Sequence, residues 1–193
     1  RELVRLQLGL APDDFLVCCF GLLGATKLNL QILDAWLDSP LSCDPSCKLV
    51  YVGEALGHYG GRVLREIIRS GHENQVRVTG WTDRKTFCSY LSAADLAIQL
   101  RHQSRGESSG AVLNCMNFGL ATIVNDHGSM SALPDDSVCR LQNDFSHSSL
   151  IEAMTSLWRE RDKREKIGAR AREYILEHHS AEGCGRRYVE VIE

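Results

Sequence analysis

The sequence predicts an α/β protein, a three-layer sandwich with a mostly parallel sheet of about six strands. Three observations predict it. Short apolar runs alternate with amphipathic helical stretches along most of the chain. The runs are continuous instead of alternating, as strands covered on both faces are. Glycine follows most of them closely, as at Gly21, Gly53 and Gly80, where the chain must turn sharply out of a strand end. With 193 residues, 44% of them hydrophobic, there is material for one well-filled core, and residues 1–193 read as one domain.

Each element follows in order. Phe15–Phe20 is the first strand. Thr26 caps the first helix, whose Leu28, Ile32, Ala35 and Trp36 share one face. Residues 49–52 make the second strand, and Val63, Leu64, Ile67 and Ile68 stripe a helix that stops near Gly71. Residues 76–79 are the third strand, after which Asp83 caps a helix carrying Phe87, Tyr90, Leu91 and Ala94. Residues 96–100 are the fourth. A polar loop, 101–107, leads to a helix with Val112, Cys115 and Met116 inside, ending at Gly119. Residues 121–124 and 138–141 are the fifth and sixth strands. Ser149 and Glu152 form a capping box before Met154, Leu157 and Trp158, and a last helix carries Ile167, Ala171, Tyr174 and Ile175. Strands spaced by single helices give a Rossmann-like sheet covered on both faces.

Charge and cysteine usage narrow the function. Lys plus Arg number 22 against 25 Asp plus Glu, a net charge of −3, and no basic block offers a track for nucleic acid. The longest apolar stretch, 15–25, is broken by two glycines and is too short to cross a bilayer. No signal-peptide order opens the chain, and its start at Arg1 reads as a piece of something longer. Eight cysteines are spread through strands and helices, which fits a reducing, cytoplasmic setting. Cys43 and Cys47 have neither a second pair nor a nearby His, so no metal site is expected.

In such a sheet ligands bind beyond the C-terminal strand ends. The loops there are 21–27, 53–61, 80–83, 101–110 and 125–130. The most informative is Arg105-Gly-Glu-Ser-Ser-Gly110, polar and glycine-rich, running straight into a helix. Two readings stay open. The N–H groups of Ser109, Gly110 and Ala111, helped by the Ser108 hydroxyl, would cradle an anion; alternatively Ser108 or Ser109 is a plain helix cap. Glu107 would repel a phosphate unless it faces hydroxyls, and sugars supply hydroxyls. Lys27, in the first turn after the first strand, would meet the anion as a cation. G-x-G-x-x-G after the first strand, the P-loop pattern and a short Asp-x-Asp clamp are all missing, so Lys27 and Arg105 would have to meet the charge of a leaving phosphate. His102 and His127 lie on ligand-side loops, whereas His178 and His179 close a helix. No nucleophile elbow occurs.

These residues resemble the C-terminal, donor-binding domain of GT4-type retaining glycosyltransferases, one half of the two-domain GT-B fold. Residues 20–27, Phe-Gly-Leu-Leu-Gly-Ala-Thr-Lys, are similar to that family's first loop, with Gly24 in the turn and Lys27 as the grip on the diphosphate. Residues 49–53 and 78–81 resemble its second and third strands, which would set Gly53, Gly80, Trp81 and Thr82 beside the nucleoside. Residues 90–95 are similar to the segment before its fourth strand, and 105–119 with 121–124 cover its signature region. The resemblance implies that Glu107 contacts the donor sugar's hydroxyls and that Ser109, Gly110 and Ala111 cradle the phosphates. Asn114 stands where a second glutamate would hold the ribose, seven residues after Glu107 where the family usually has eight. Leu22 replaces a frequent Arg, leaving Arg101 or Arg105 to supply that charge.

What the resemblance implies overall is polysaccharide-type biosynthesis: transfer from a nucleotide-diphosphate sugar, used as substrate with no tightly bound cofactor. The acceptor, a glycan or lipid-linked hydroxyl, would be held by an N-terminal domain outside these residues. Peripheral association of the full-length protein with the inner face of the membrane would suit such an acceptor. An epimerase-like or phosphorylase-like enzyme of the same fold, or a degenerate domain kept for scaffolding, are the other readings.

Overall fold

The computed structural model describes residues 1–104 and 106–192. Six strands form one parallel sheet: β1 (Phe15–Phe20), β2 (Cys47–Val52), β3 (Val76–Val78), β4 (Leu96–Gln99), β5 (Thr122–Asn125) and β6 (Cys139–Leu141). Their spatial order is β3-β2-β1-β4-β5-β6. Eight helices accompany them among the described residues: α1 (Glu2–Gln7), α2 (Asn29–Leu37), α3 (Gly57–Ser70), α4 (Arg84–Ala93), α5 (Gly110–Asn117), α6 (His147–Arg159), α7 (Arg161–His178) and α8 (Ala181–Ile192). The chain builds outward from β1 to β3, then returns to lay β4 on the free side of β1, with Val17 opposite Leu96. The strand order therefore reverses between β1 and β4, and a crevice opens there at the C-terminal ends.

β1 shows why the sheet is double-sided. Its six residues are all buried, and successive side chains point to opposite faces. Phe15, Val17 and Cys19 join Leu33 and Trp36 of α2 in one core. Leu16, Cys18 and Phe20 join Tyr90 and Leu91 of α4 and Cys115 of α5 in the other. A smaller cluster of Val112, Met116, Val124, Ala171 and Ile175 seats α7 on α5 and β5. Each fully buried aliphatic side chain contributes about 1.5–3 kcal/mol. Below the sheet, Arg5 of α1 is buried and donates to the Ala93 carbonyl at 2.7 Å and to Asp95 Oδ2 at 3.2 Å. The same Asp95 oxygen accepts from Leu16 N at 2.8 Å, tying α1, β1 and the entry to β4 together.

Several boundaries differ from expectation. Thr26 is not the cap of α2: it lies in a 3₁₀ turn, Ala25–Lys27, and α2 starts at Asn29 after Leu28 in a left-handed conformation (φ 55°). Residues 57–61, expected in a loop, already belong to α3. Asp83 caps α4 as expected, accepting from Thr86 N at 2.7 Å. The cap of α6, however, is Ser146 and not Ser149: Ser149 N donates to Ser146 Oγ at 3.1 Å. Phe145, just before that cap, and Leu150, four residues after it, both pack on the main core and fix the entry of the chain. Helices α1 and α8 were not anticipated. Among the described residues no helix is long and apolar enough to cross a membrane.

Candidate functional site

The site is built from the two loops that flank the β1/β4 crevice. After β1 the chain turns at Gly21 (φ 95°), runs through the 3₁₀ turn and sends Lys27 back over the strand end. Lys27 Nζ donates to the Phe20 carbonyl at 3.2 Å. The positive φ calls for glycine at position 21; a Cβ there would also lie 2.3 Å from that ammonium, at the flexible end of the lysine, and would push it aside. Burial, reinforced by the Arg101 guanidinium, lowers the Lys27 ammonium from its ordinary 10.5 to about 8, against a smaller opposing effect of Cys19.

Supports that sequence reasoning missed hold this loop. Buried Asn29 accepts from Gly24 N through Oδ1 at 2.9 Å, while its own carbonyl accepts from Tyr51 Oη at 2.9 Å. Leu30 N, an orphan donor at the start of α2, donates to Tyr59 Oη at 3.1 Å. An Asn directly after a glycine loop is the one local signal; Tyr59 belongs to α3, where the sequence pattern predicts a loop.

The loop after β4 is held by Asn125, only 1% exposed at the end of β5. Its Oδ1 accepts from Arg101 N at 2.8 Å and its Nδ2 donates to the Arg101 carbonyl at 2.7 Å, pairing a side chain with a backbone. His102 N donates to the Thr26 carbonyl at 2.8 Å, which joins the two loops directly. Thr26, Arg101, His102, Glu107 and His127 line an open cleft of about 720 Å³. Arg101, Glu107 and Ser109 also line a small adjoining pocket with Met130.

Ser109, only 7% exposed, is the N-cap of α5, its Oγ accepting from Val112 N at 3.5 Å, so its hydroxyl serves the start of the helix. Gly110 and Ser108 are exposed, with open space above Gly110 where a Cβ would stand. Ala111 packs partly on the core, and Asn114 is exposed one turn further along α5. Leu22 is exposed, and Arg101 lines the cleft and brings cationic charge to it. Arg105 lies outside the described residues.

Other expected residues lie elsewhere. Trp81, 75% exposed, and Thr82 border a separate hollow of about 520 Å³ beyond β3, with Thr79, Asp83 and Thr86. Gly80 turns the chain there with φ 75°. Gly53 is buried and donates from its N to Thr79 Oγ1 at 3.0 Å. A Cβ on it would sit 2.2 Å from the Gly21 carbonyl oxygen, so its place is backbone packing beneath the β1 loop. No group of three His, Cys, Asp or Glu side chains among the described residues is placed to hold a metal ion.

The structure of HepE from Anabaena in complex with UDP-glucose superposes with a TM-score of 0.83 at 19% identity, over 99% of this chain and 51% of that one. Sucrose-phosphate synthase from Thermosynechococcus elongatus matches with a TM-score of 0.80 and 17% identity, over 100% and 49%. The chain thus spans about half the length of these relatives. The C-terminal domain of LpcC, a group 1 glycosyl transferase family protein from Francisella tularensis, matches nearly end to end: TM-score 0.81, 17% identity, 94% of this chain and 93% of that one. The architecture is therefore one half of a GT-B fold, in the form a C-terminal domain takes. No curated protein matches the sequence. The profile described as glycosyl transferases group 1 matches residues 1–174, and the chain belongs to that family.

Proposed function

We propose that residues 1–193 form the donor-binding domain of a retaining, GT4-type glycosyltransferase, which takes a sugar from a nucleotide diphosphate and passes it to an acceptor hydroxyl. The observation that carries this reading is the meeting, in one cleft at the β1/β4 crevice, of a carboxylate, Glu107, with Arg101 and with the loop that holds Lys27. The exposed start of α5 adjoins that cleft through Ser109. Cations and helix N–H groups suit the two phosphates. The carboxylate suits sugar hydroxyls.

As the bond from sugar to phosphate breaks, charge develops on the departing phosphate. Lys27, Arg101 and the N–H groups at residues 109–111 are fixed in place to receive it; one such donor typically supplies about 3–4 kcal/mol of transition-state stabilisation. The departing oxygen is also suited to take the acceptor's proton on the same face, which gives retention. Glu107 orients the sugar. Trp81 and Thr82, beyond the third strand, offer a surface for the base, and Asn114 a neutral partner for the ribose diol. The acceptor, a glycan or lipid-linked hydroxyl, is held by an N-terminal domain, and the full-length protein works in the cytoplasm at the inner face of the membrane in polysaccharide-type assembly.

HepE has been seen with UDP and with UDP-glucose, so these are the first probes. Calorimetry with UDP, GDP, UDP-glucose and GDP-mannose is expected to show binding of one nucleotide series. Lys27→Ala should weaken that binding about tenfold or more, and Glu107→Ala should weaken only the sugar nucleotide. Failure of all four to bind would overturn the reading.

A further inference from the structure

The cleft contains an imidazole whose protonation pattern is set by the backbone. Asn125 cannot be flipped: its Oδ1 faces the Arg101 N–H and its Nδ2 faces the Arg101 carbonyl. That Nδ2 has a second hydrogen, which reaches Asn143 Oδ1 at 3.5 Å. The Asn143 atom in question is therefore the acceptor of its amide. The same oxygen lies 3.0 Å from His127 Nδ1, so Nδ1 must be the nitrogen that donates. In neutral His127 the proton then sits on Nδ1, and Nε2 carries the lone pair. Among the described residues no hydrogen bond or ion pair engages Nε2, and His127 lines the cleft beside Glu107 and Arg101. The ring also stands on fixed ground, since the same Asn125 clasps the loop that brings Glu107 to the site.

We propose that His127 is a sugar-recognition residue, held by Asn143 as its Nδ1–H tautomer so that Nε2 accepts a hydrogen bond from a hydroxyl of the donor sugar. The inference rests on the donor-site reading above and deepens it. The chemistry of the atom carries the choice of ligand group. A lone pair on Nε2 has nothing to offer a phosphate oxygen, which has only lone pairs itself. A hydroxyl donates, and the neighbouring carboxylate of Glu107 is likewise an acceptor. Two acceptors in one cleft suit two hydroxyls of one sugar ring, which makes this corner a determinant of which sugar is taken. Asn143, which touches no ligand in this picture, acts as a positioning residue through the imidazole.

The test compares each nucleotide diphosphate with its sugar conjugate on the same protein. Calorimetric titrations with UDP, UDP-glucose, UDP-galactose, GDP and GDP-mannose identify the sugar nucleotide that binds the wild type best. His127→Ala is expected to weaken that ligand about tenfold while leaving the bare nucleotide within about twofold. His127→Gln, whose carboxamide reaches where Nε2 stood, should recover part of the loss. Long-range proton–nitrogen spectra of the wild type should show the Nδ1–H form, and Asn143→Ala should shift the ring toward the Nε2–H form with a partial loss for the sugar nucleotide alone.

Equal weakening of nucleotide and sugar nucleotide would place a protonated His127 on the phosphates and overturn the proposal. So would unchanged affinities, a wild-type Nε2–H spectrum, or a sugar that adds no affinity over its bare nucleotide. If neither UDP nor GDP binds the wild type, the donor-site reading falls first and this one with it. If they bind and only the His127 effects are missing, the donor site stands and this assignment alone is lost.

Discussion

Lys27 is held in its partly buried place at a cost to the fold. Its pKa in the folded chain, about 8, lies below its ordinary 10.5, so between those values the unfolded chain binds more protons and stability rises with pH. Below about pH 8 the ammonium is charged while partly buried, with the Phe20 carbonyl as its acceptor. Lys27→Met is therefore expected to raise the melting temperature at pH 7, by about 2–4 °C for each kcal/mol relieved, while it weakens nucleotide binding. An anion in the cleft works the other way and draws the proton on. Calorimetry at pH 8 in two buffers of different ionisation enthalpy should show uptake of about half a proton on binding, and affinity should fall as pH rises further. Proton release on binding would contradict the assignment of Lys27 to the anion. Asn125 is a residue of a different kind, because it satisfies both backbone groups of Arg101 from a buried position. Asn125→Ala leaves that N–H and C=O without partners and is expected to cost about 2 kcal/mol or more in urea unfolding.

Among the elements, the strands were the most legible, since a continuous run such as Phe15–Phe20 has no other comfortable home than the middle of a parallel sheet. Helix starts were less so, because they are decided by partners far along the chain. Asn29 and Leu30 are met by Tyr51 and Tyr59, which no local pattern around α2 announces. At α6 three serines competed, and packing of Phe145 and Leu150 selected Ser146. The candidate site divided in the same way. Glu107 and the start of α5 were readable from residue type and spacing, whereas the entry of Arg101 into the cleft depends on Asn125, 24 residues further along at the end of the next strand. The seating of α7 was invisible for a related reason: it depends on Gly168 meeting Gly119. A Cβ on Gly168 would lie 2.1 Å from the Gly119 carbonyl oxygen, at the turn between α5 and β5. Backbone on both sides leaves little room to yield, so Gly168→Ala should destabilise by about 1–3 kcal/mol through overpacking, read as a lower urea midpoint. An unchanged midpoint would mean that α7 slides on α5 freely, contrary to the shared cluster of Val112, Met116 and Ala171.

At the scale of the whole molecule, the central thiols report on folding and ligand together. Cys18, Cys19 and Cys115 are buried against both faces of the sheet, and burial raises their thiols, that of Cys115 to about 12. Neither access nor thiolate is available to a reagent in the native state. Cys43 is exposed and should label at once. The three central thiols should label only when the sheet opens, at a rate set by the population of the open chain. A nucleotide that binds only the folded form lowers that population by the factor 1 + [L]/Kd, so ligand at a hundred times its Kd should slow their labelling about a hundredfold. Lys27→Met separates the two contributions within one experiment. The empty variant should label more slowly than the empty wild type, because the buried ammonium is gone, yet added nucleotide should slow it far less. If the central cysteines instead labelled as fast as Cys43, or if nucleotide slowed the variant as strongly as the wild type, the coupling of crevice charge to the stability of the sheet would be wrong. That outcome would move the anion's site away from the end of β1.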